Sequence, residues 1–178
     1  MSLRRTPPVV PGQPTDDQLE RTHGPRIEGQ WWAAASTPDG TARARIDMGG
    51  AEFTVLPDGR LDFQVSLAHT DGRKTTVKGV AVSEADSRGV YRWTGKGFVR
   101  FVTWFRWNYR FAAEGRLLVV GHPGSVVSQP TYLIFARRGM TELEARSALD
   151  TAGESLGFSP RELSELARYR LPTTLPGW

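Results

Sequence analysis

The chain has three histidines, His23, His69 and His122, and a metal or haem site would need two of them at i, i+4 spacing or across one short loop. They are tens of residues apart, so the sequence assigns no metal and no cofactor. In "GHPGS" Ser125 follows His122 closely, but the strand-to-helix elbow that exposes a G-x-S-x-G nucleophile is missing. "GKG" at 95 to 97 precedes no helix whose N-terminus could hold a phosphate. The carboxylate pairs Asp16/Asp17 and Glu142/Glu144 stand at helix starts, where the helix dipole accounts for them. No catalytic residue is assigned. Polar side chains that could serve an enzyme inside a cavity are Tyr109, Tyr132, His69 and His122.

The elements that must carry these residues are bounded by composition. The chain has 178 residues, no cysteine and a formal charge of +4, and its pI is about 9.8. One domain of that size can bury a core or enclose a cavity. Without cysteine there is no disulfide, no thiol nucleophile and no lipid-bearing cysteine. No stretch approaches the roughly 18 apolar residues of a membrane helix and no signal peptide is evident, so a soluble protein without stable membrane insertion is expected. The basic residues are scattered along the chain rather than run together, which reads as a solvated surface and not as a nucleic-acid face.

From 28 to 138 the chain reads as strand upon strand. "PDG" at 38–40 and 57–59, "TDGR" at 70–73 and "AEGR" at 113–116 are hairpin turns. "RLDFQVSL" sets Leu61, Phe63, Val65 and Leu67 on one face, and "AEFTV" does the same with Ala51, Phe53 and Val55. In "FVRFVTWFRWNYRFAAE" Val99, Phe101, Phe105, Trp107, Tyr109 and Phe111 alternate with Arg100, Arg106, Asn108 and Arg110. One face is aromatic and the other wet. Many short antiparallel strands joined by tight turns imply a sandwich or an up-and-down barrel, and only the barrel abolishes edges. The sequence leaves open whether the aromatic face fills a core or lines a calyx.

The organisation expected is a proline-rich arm over 1–14, then one domain over 15–178 that opens with a short helix at Thr15 to Arg21. Its end switches to helical spacing. Thr141 with Glu144 and Ser159 with Glu162 are capping boxes, predicting helices over 141–157 and 159–169. The first strand, "GQWWAAAS", is bulky at one end and small at the other on both faces. Its Trp31 side would be plugged at the tryptophan and hollow along Ala33 and Ala35.

These features together resemble the lipocalin family. Gly29, Gln30 and Trp31 match the G-x-W of its first strand. "YLIFARRG" at 132 to 139 is similar to a last strand ending in the motif arginine, which places that arginine at Arg138. "ESLGFSPRELSEL" resembles the ending of the bacterial outer-membrane and apolipoprotein D branch. The resemblance runs from about residue 19 to 172. The chain departs from the family in its "AAEGRLLV" turn, which lacks the usual tyrosine. The resemblance implies a mostly β fold, one antiparallel barrel of about eight strands with a C-terminal helix packed outside. It implies that Trp31 lies across the closed end with Arg138 on its ring. The function it implies is binding or carriage of a hydrophobic or amphipathic small molecule, of fatty-acid or lysophospholipid type, with a lipocalin-like enzyme, an isomerase or hydratase acting on an apolar substrate in the barrel, as the alternative. The lining residues would be Ala33, Ala35, Phe53, Phe63, Val65, Phe101, Phe105, Trp107, Tyr109, Tyr132 and Ile134.

Overall fold

The computed structural model describes residues 27–37, 46–83, 90–96, 104–122 and 131–171. The arm over 1–14, the helix at Thr15 to Arg21, the turn at 38–40, and His23, Val99, Phe101 and Ser125 lie outside the described residues. The strands are β1 (Gly29–Ser36), β2 (Ile46–Val55), β3 (Leu61–His69), β4 (Lys74–Ser83), β5 (Val90–Gly95), β6 (Trp104–Ala112), β7 (Leu117–His122) and β8 (Thr131–Arg137). Helices α1 (Glu142–Ala152) and α2 (Pro160–Glu165) and a short strand β9 (Ala167–Arg168) follow. From β2 to β8 each strand pairs with the next, and β1 pairs with both β8 and β2, which closes an eight-stranded antiparallel barrel. Closure leaves no long bare edge.

Turn chemistry sets the register. The Leu56 and His69 amides donate to the Arg60 and Arg73 carbonyls at 2.8 Å each, closing the β2–β3 and β3–β4 hairpins. Gly59 and Gly72, both at φ +81°, supply the left-handed residue each turn requires. Asp58 accepts from the Arg60 amide, and that bond holds its carboxyl below the usual carboxylate range. The resulting pairing runs Phe53 opposite Phe63 and Phe63 opposite Gly79. Two-residue alternation then delivers one apolar set to the interior.

The barrel has two clusters, one inside and one on its outer wall. Ala35, Leu117, Val119, Ile134 and Ala136 face outward and bury Ala145 and Leu149 of α1 with Leu156, Phe158 and Leu166 behind it. Both predicted capping boxes form: Thr141 accepts from the Glu144 amide and Ser159 from the Glu162 amide, each at 3.2 Å. The helices are shorter than expected. α1 stops at Ala152, where Gly153 lies so close to Leu163 that a Cβ would overlap it, and turns carry the chain to Gly157 at φ +80°. α2 stops at Glu165 because Leu166 turns extended, so that Ala167 and Arg168 can pair with Ser36 and Ala35.

Between β6 and β7 the backbone is strained. Ala113 and Glu114 sit at φ +48° and +58°, ahead of Gly115 at +82°. Each non-glycine residue in this region costs on the order of 1 kcal/mol. Glu114→Gly is therefore expected to raise unfolding stability by about 0.5–1 kcal/mol, read from the urea midpoint, while Glu114→Val lowers it.

Candidate ligand-binding interior

The Trp31 end of the barrel is built first by hydrogen bonds. The Trp31 indole Nε1 donates to the Ile27 carbonyl at 2.7 Å, and both residues are fully buried. The guanidinium of Arg137 lies over the Trp31 ring, 3.9 Å from its centroid, and its Nη1 donates to the Glu28 carbonyl at 2.7 Å. Partial burial lowers the Arg137 pKa from its ordinary value, yet an arginine so placed stays charged. Gly29 is needed here: at φ +106° it lets the chain turn beneath the guanidinium.

The arginine is thus Arg137 and not Arg138. Arg138 is exposed and donates instead to the side-chain oxygen of Gln30. The same one-residue slip explains two further corrections. With Arg137 on the inward parity of β8, its inward partners are Leu133 and Phe135, while Tyr132 and Ile134 face the helices; Tyr132 packs edge-on against Phe158 at 5.6 Å. Ala35 is also outside. A β-bulge between Ala33 and Ala35 shifts the register of β1 on β8, so Ala33 stays in the inner cluster and Ala35 meets the outer one. Beyond the bulge Ser36 is fully buried and shares a 2.7 Å hydroxyl contact with Tyr169, a member of the inner cluster.

Above Trp31 the interior is a connected stack of rings. Phe111 lies 6.0 Å from Trp31, Tyr109 5.6 Å from Phe111 and Tyr91 5.3 Å from Tyr109. Trp107 stacks on Tyr91 at 5.0 Å and meets Phe53 and Phe63 at 6.3 and 6.0 Å. Phe63 in turn touches Trp93 at 5.7 Å. Room for the Trp93 ring comes from Gly79, where any Cβ would overlap the indole. Ring-to-ring contacts thus run from β2 and β3 to β5 and β6 across the interior. Beyond the rings, toward the end opposite Trp31, partly buried Val65, Val77 and Ile46 form an aliphatic wall against the same cluster. At that rim His69 shares a 2.9 Å contact with the Thr75 hydroxyl.

Among the predicted lining residues, Ala33, Phe53, Phe63, Val65, Trp107 and Tyr109 are brought together inside. Phe105 stands on β6 opposite Trp93. Phe101 lies outside the described residues, as does the side chain of His122. Sequence reasoning overlooked Tyr91 and Trp93, though "VYRWTG" carries the signal, an aromatic at every second position, with the small residue Ala81 paired to Trp93. Two features of the interior are chemical. Burial, and then the 3.4 Å contact with the Tyr91 hydroxyl, push the Tyr109 phenol above its ordinary range, so it remains protonated. The Trp107 indole nitrogen is buried and has no acceptor among the described residues. Leaving such a donor unmet costs about 1–3 kcal/mol.

No protein-family model matches the chain, and no curated protein is similar to it in sequence. Solved structures are similar in fold. Lobster apocrustacyanin A1 superposes with a TM-score of 0.61 at 10% identity, covering 92% of this chain and 91% of that one. The cockroach allergen Per a 4 gives 0.59 at 10% identity over 82% and 86% of the two chains. The siderocalin Ex-FABP gives 0.50 at 13% identity over 83% and 91%. These are lipocalin-type barrels, and this chain shares their fold.

In a barrel closed by this contact, Trp31→Ala is expected to cost about 3–5 kcal/mol of stability. Arg137→Ala should cost about 1–2 kcal/mol, and the two losses should fall short of additive by about 0.5–2 kcal/mol in a urea double-mutant cycle. Arg138→Ala should stay within about 0.5 kcal/mol and add simply to Trp31→Ala.

Proposed function

We propose that the chain is a binding protein for a hydrophobic or amphipathic small molecule, of fatty-acid or lysophospholipid type, held in the barrel on the far side of the ring layer from Trp31. Phe63 and Trp107 would form its floor, with Ala33, Val65 and Val77 around it. The observation that carries this reading is the Trp107 Nε1–H, buried in apolar surroundings without an acceptor among the described residues. A carboxyl or ester oxygen would supply that acceptor, and the aliphatic wall would take the chain attached to it. Each methylene buried adds about 0.8 kcal/mol before the costs of association, which brings such a ligand to roughly micromolar affinity. Support also comes from a protein of similar fold, the siderocalin Ex-FABP, which functions through dual ligand specificities. On the Gly29-to-Trp31 motif and the ending at 154–166, the chain is placed nearest the bacterial outer-membrane and apolipoprotein D branch, also as part of this proposal.

Calorimetric titration with a long-chain fatty acid and with a lysophosphatidylcholine tests the reading. Saturable binding of either is expected, and Trp107→Phe, which keeps a ring and removes the donor, should weaken it about five- to tenfold while leaving the fold intact. Flat titrations with both lipids to hundreds of micromolar, or undiminished affinity in Trp107→Phe, would overturn it.

A further inference from the structure

Among the described residues the barrel wall parts at one seam. β1 pairs with β2 from Gly29 to Trp32, opposite Phe53 to Gly50. Beyond Trp32 the two strands separate. β1 bulges between Ala33 and Ala35, and then Ala35 and Ser36 pair with Arg168 and Ala167 of β9. β8 holds the other edge of β1 at the same two residues, so β9 stands on the side of β2. β2 itself runs on from Gly49 to Ile46 with β3 as its partner, and no described pairing joins it to β9. The seam between β1 and β2 therefore opens away from Trp31, and segment 166–171 occupies it.

That segment sends one side chain through the wall. Leu166 and Leu171 pack on the outer cluster, whereas the buried Tyr169 belongs to the inner one. The Tyr169 amide donates to the Ala34 carbonyl at 3.0 Å, and its hydroxyl meets that of the fully buried Ser36 at 2.7 Å. The hold around this plug is light. β9 is two residues long, and the ion pair from Arg168 to Asp150 is exposed. A water-sized hollow of about 20 Å³, lined by Ala145, Leu149, Tyr169 and Leu171, lies between α1 and the segment. Short pairing, exposed partners and incomplete packing make a segment that opens at low free energy while the barrel stays folded.

We infer that segment 166–171 is a side gate of the barrel, with Tyr169 as its plug, through which a single-chain amphiphile enters and leaves the interior. This rests on the interior site proposed above and adds the route to it. Strands stand about 4.8 Å apart, so lifting β9 away from β1 clears a slot one chain wide. Ala33 and Gly49 border the parting and present nothing larger than a methyl group to a passing chain. The contact between the Tyr169 and Ser36 hydroxyls is the latch, broken on opening and remade behind the ligand.

A reversible lock tests the gate. The chain contains no cysteine, and Ala35 and Arg168 stand directly opposite each other, so Ala35→Cys with Arg168→Cys ties β9 to β1 by one disulfide without competing thiols. Stopped-flow tryptophan fluorescence with a long-chain fatty acid reads both rates. The oxidised lock should slow association and dissociation at least tenfold each while Kd moves less than threefold. Reducing the same protein should bring both rates back to within threefold of wild type. Tyr169→Phe, which keeps the ring and removes the latch, should speed both rates about five- to tenfold, and it decides the matter independently of the lock. Mass spectrometry verifies the disulfide and thermal melting the fold. Wild-type rates in the oxidised lock, or in Tyr169→Phe, would overturn the gate and leave the interior site standing. A flat titration of the wild-type chain would remove both.

Discussion

The contact between the Arg137 guanidinium and the Trp31 ring governs the rest of the barrel, because it joins the first and last strands of the closed sheet at one end. Its own energy is modest, about 0.5–2 kcal/mol for a shielded cation–π pair. Its consequence is larger. Fixing Arg137 inward fixes the parity of β8, hence which of its residues enter the interior and which meet the helices, and a slip of one residue would exchange the two sets entirely. The flanking bonds from Trp31 to Ile27 and from Arg137 to Glu28 hold both side chains in place, and Trp31 cannot rotate away without leaving a buried donor unmet.

From that fixed end the interior fills in order of size. Large rings from β2, β3, β5 and β6 meet around Trp107, and glycine appears where a ring must cross a neighbouring strand, as Gly79 does beneath Trp93. Gly50 serves the outer side in the same way: a Cβ there would press on the Trp31 carbonyl and the Trp32 ring. The rings meet one another at centroid distances of 5.0 to 6.3 Å, so each side chain in the layer is held by its neighbours.

Much of this was legible in the sequence, and the exceptions have physical reasons. Strict alternation in "RLDFQVSL" and "FRWNYRF" marks the inward faces, and the two capping boxes mark both helix starts to the residue. Parity fails wherever alternation is ambiguous or interrupted. "YLIFAR" is apolar on both faces because one side packs on the rings and the other on α1, so the strand alone cannot reveal which is which. The bulge after Ala33 leaves no mark in a run of three alanines. The helix lengths were overestimated: α1 gives way at Gly153 to turns that still reverse the chain at Gly157, where the Phe158 amide donates to the Gly153 carbonyl, and α2 ends at Leu166 because β9 pairs with β1.

The central claim is that Arg137 packs on Trp31 and so sets the inward face of β8. Proton NMR of the full chain tests it directly, through the ring-current shifts of the two adjacent arginines and their cross-relaxation with the Trp31 indole. The account predicts Arg137 side-chain protons far upfield of their random-coil positions with strong contacts to Trp31, and Arg138 protons near random coil. Upfield shifts and indole contacts at Arg138, with Arg137 unshifted, would contradict it.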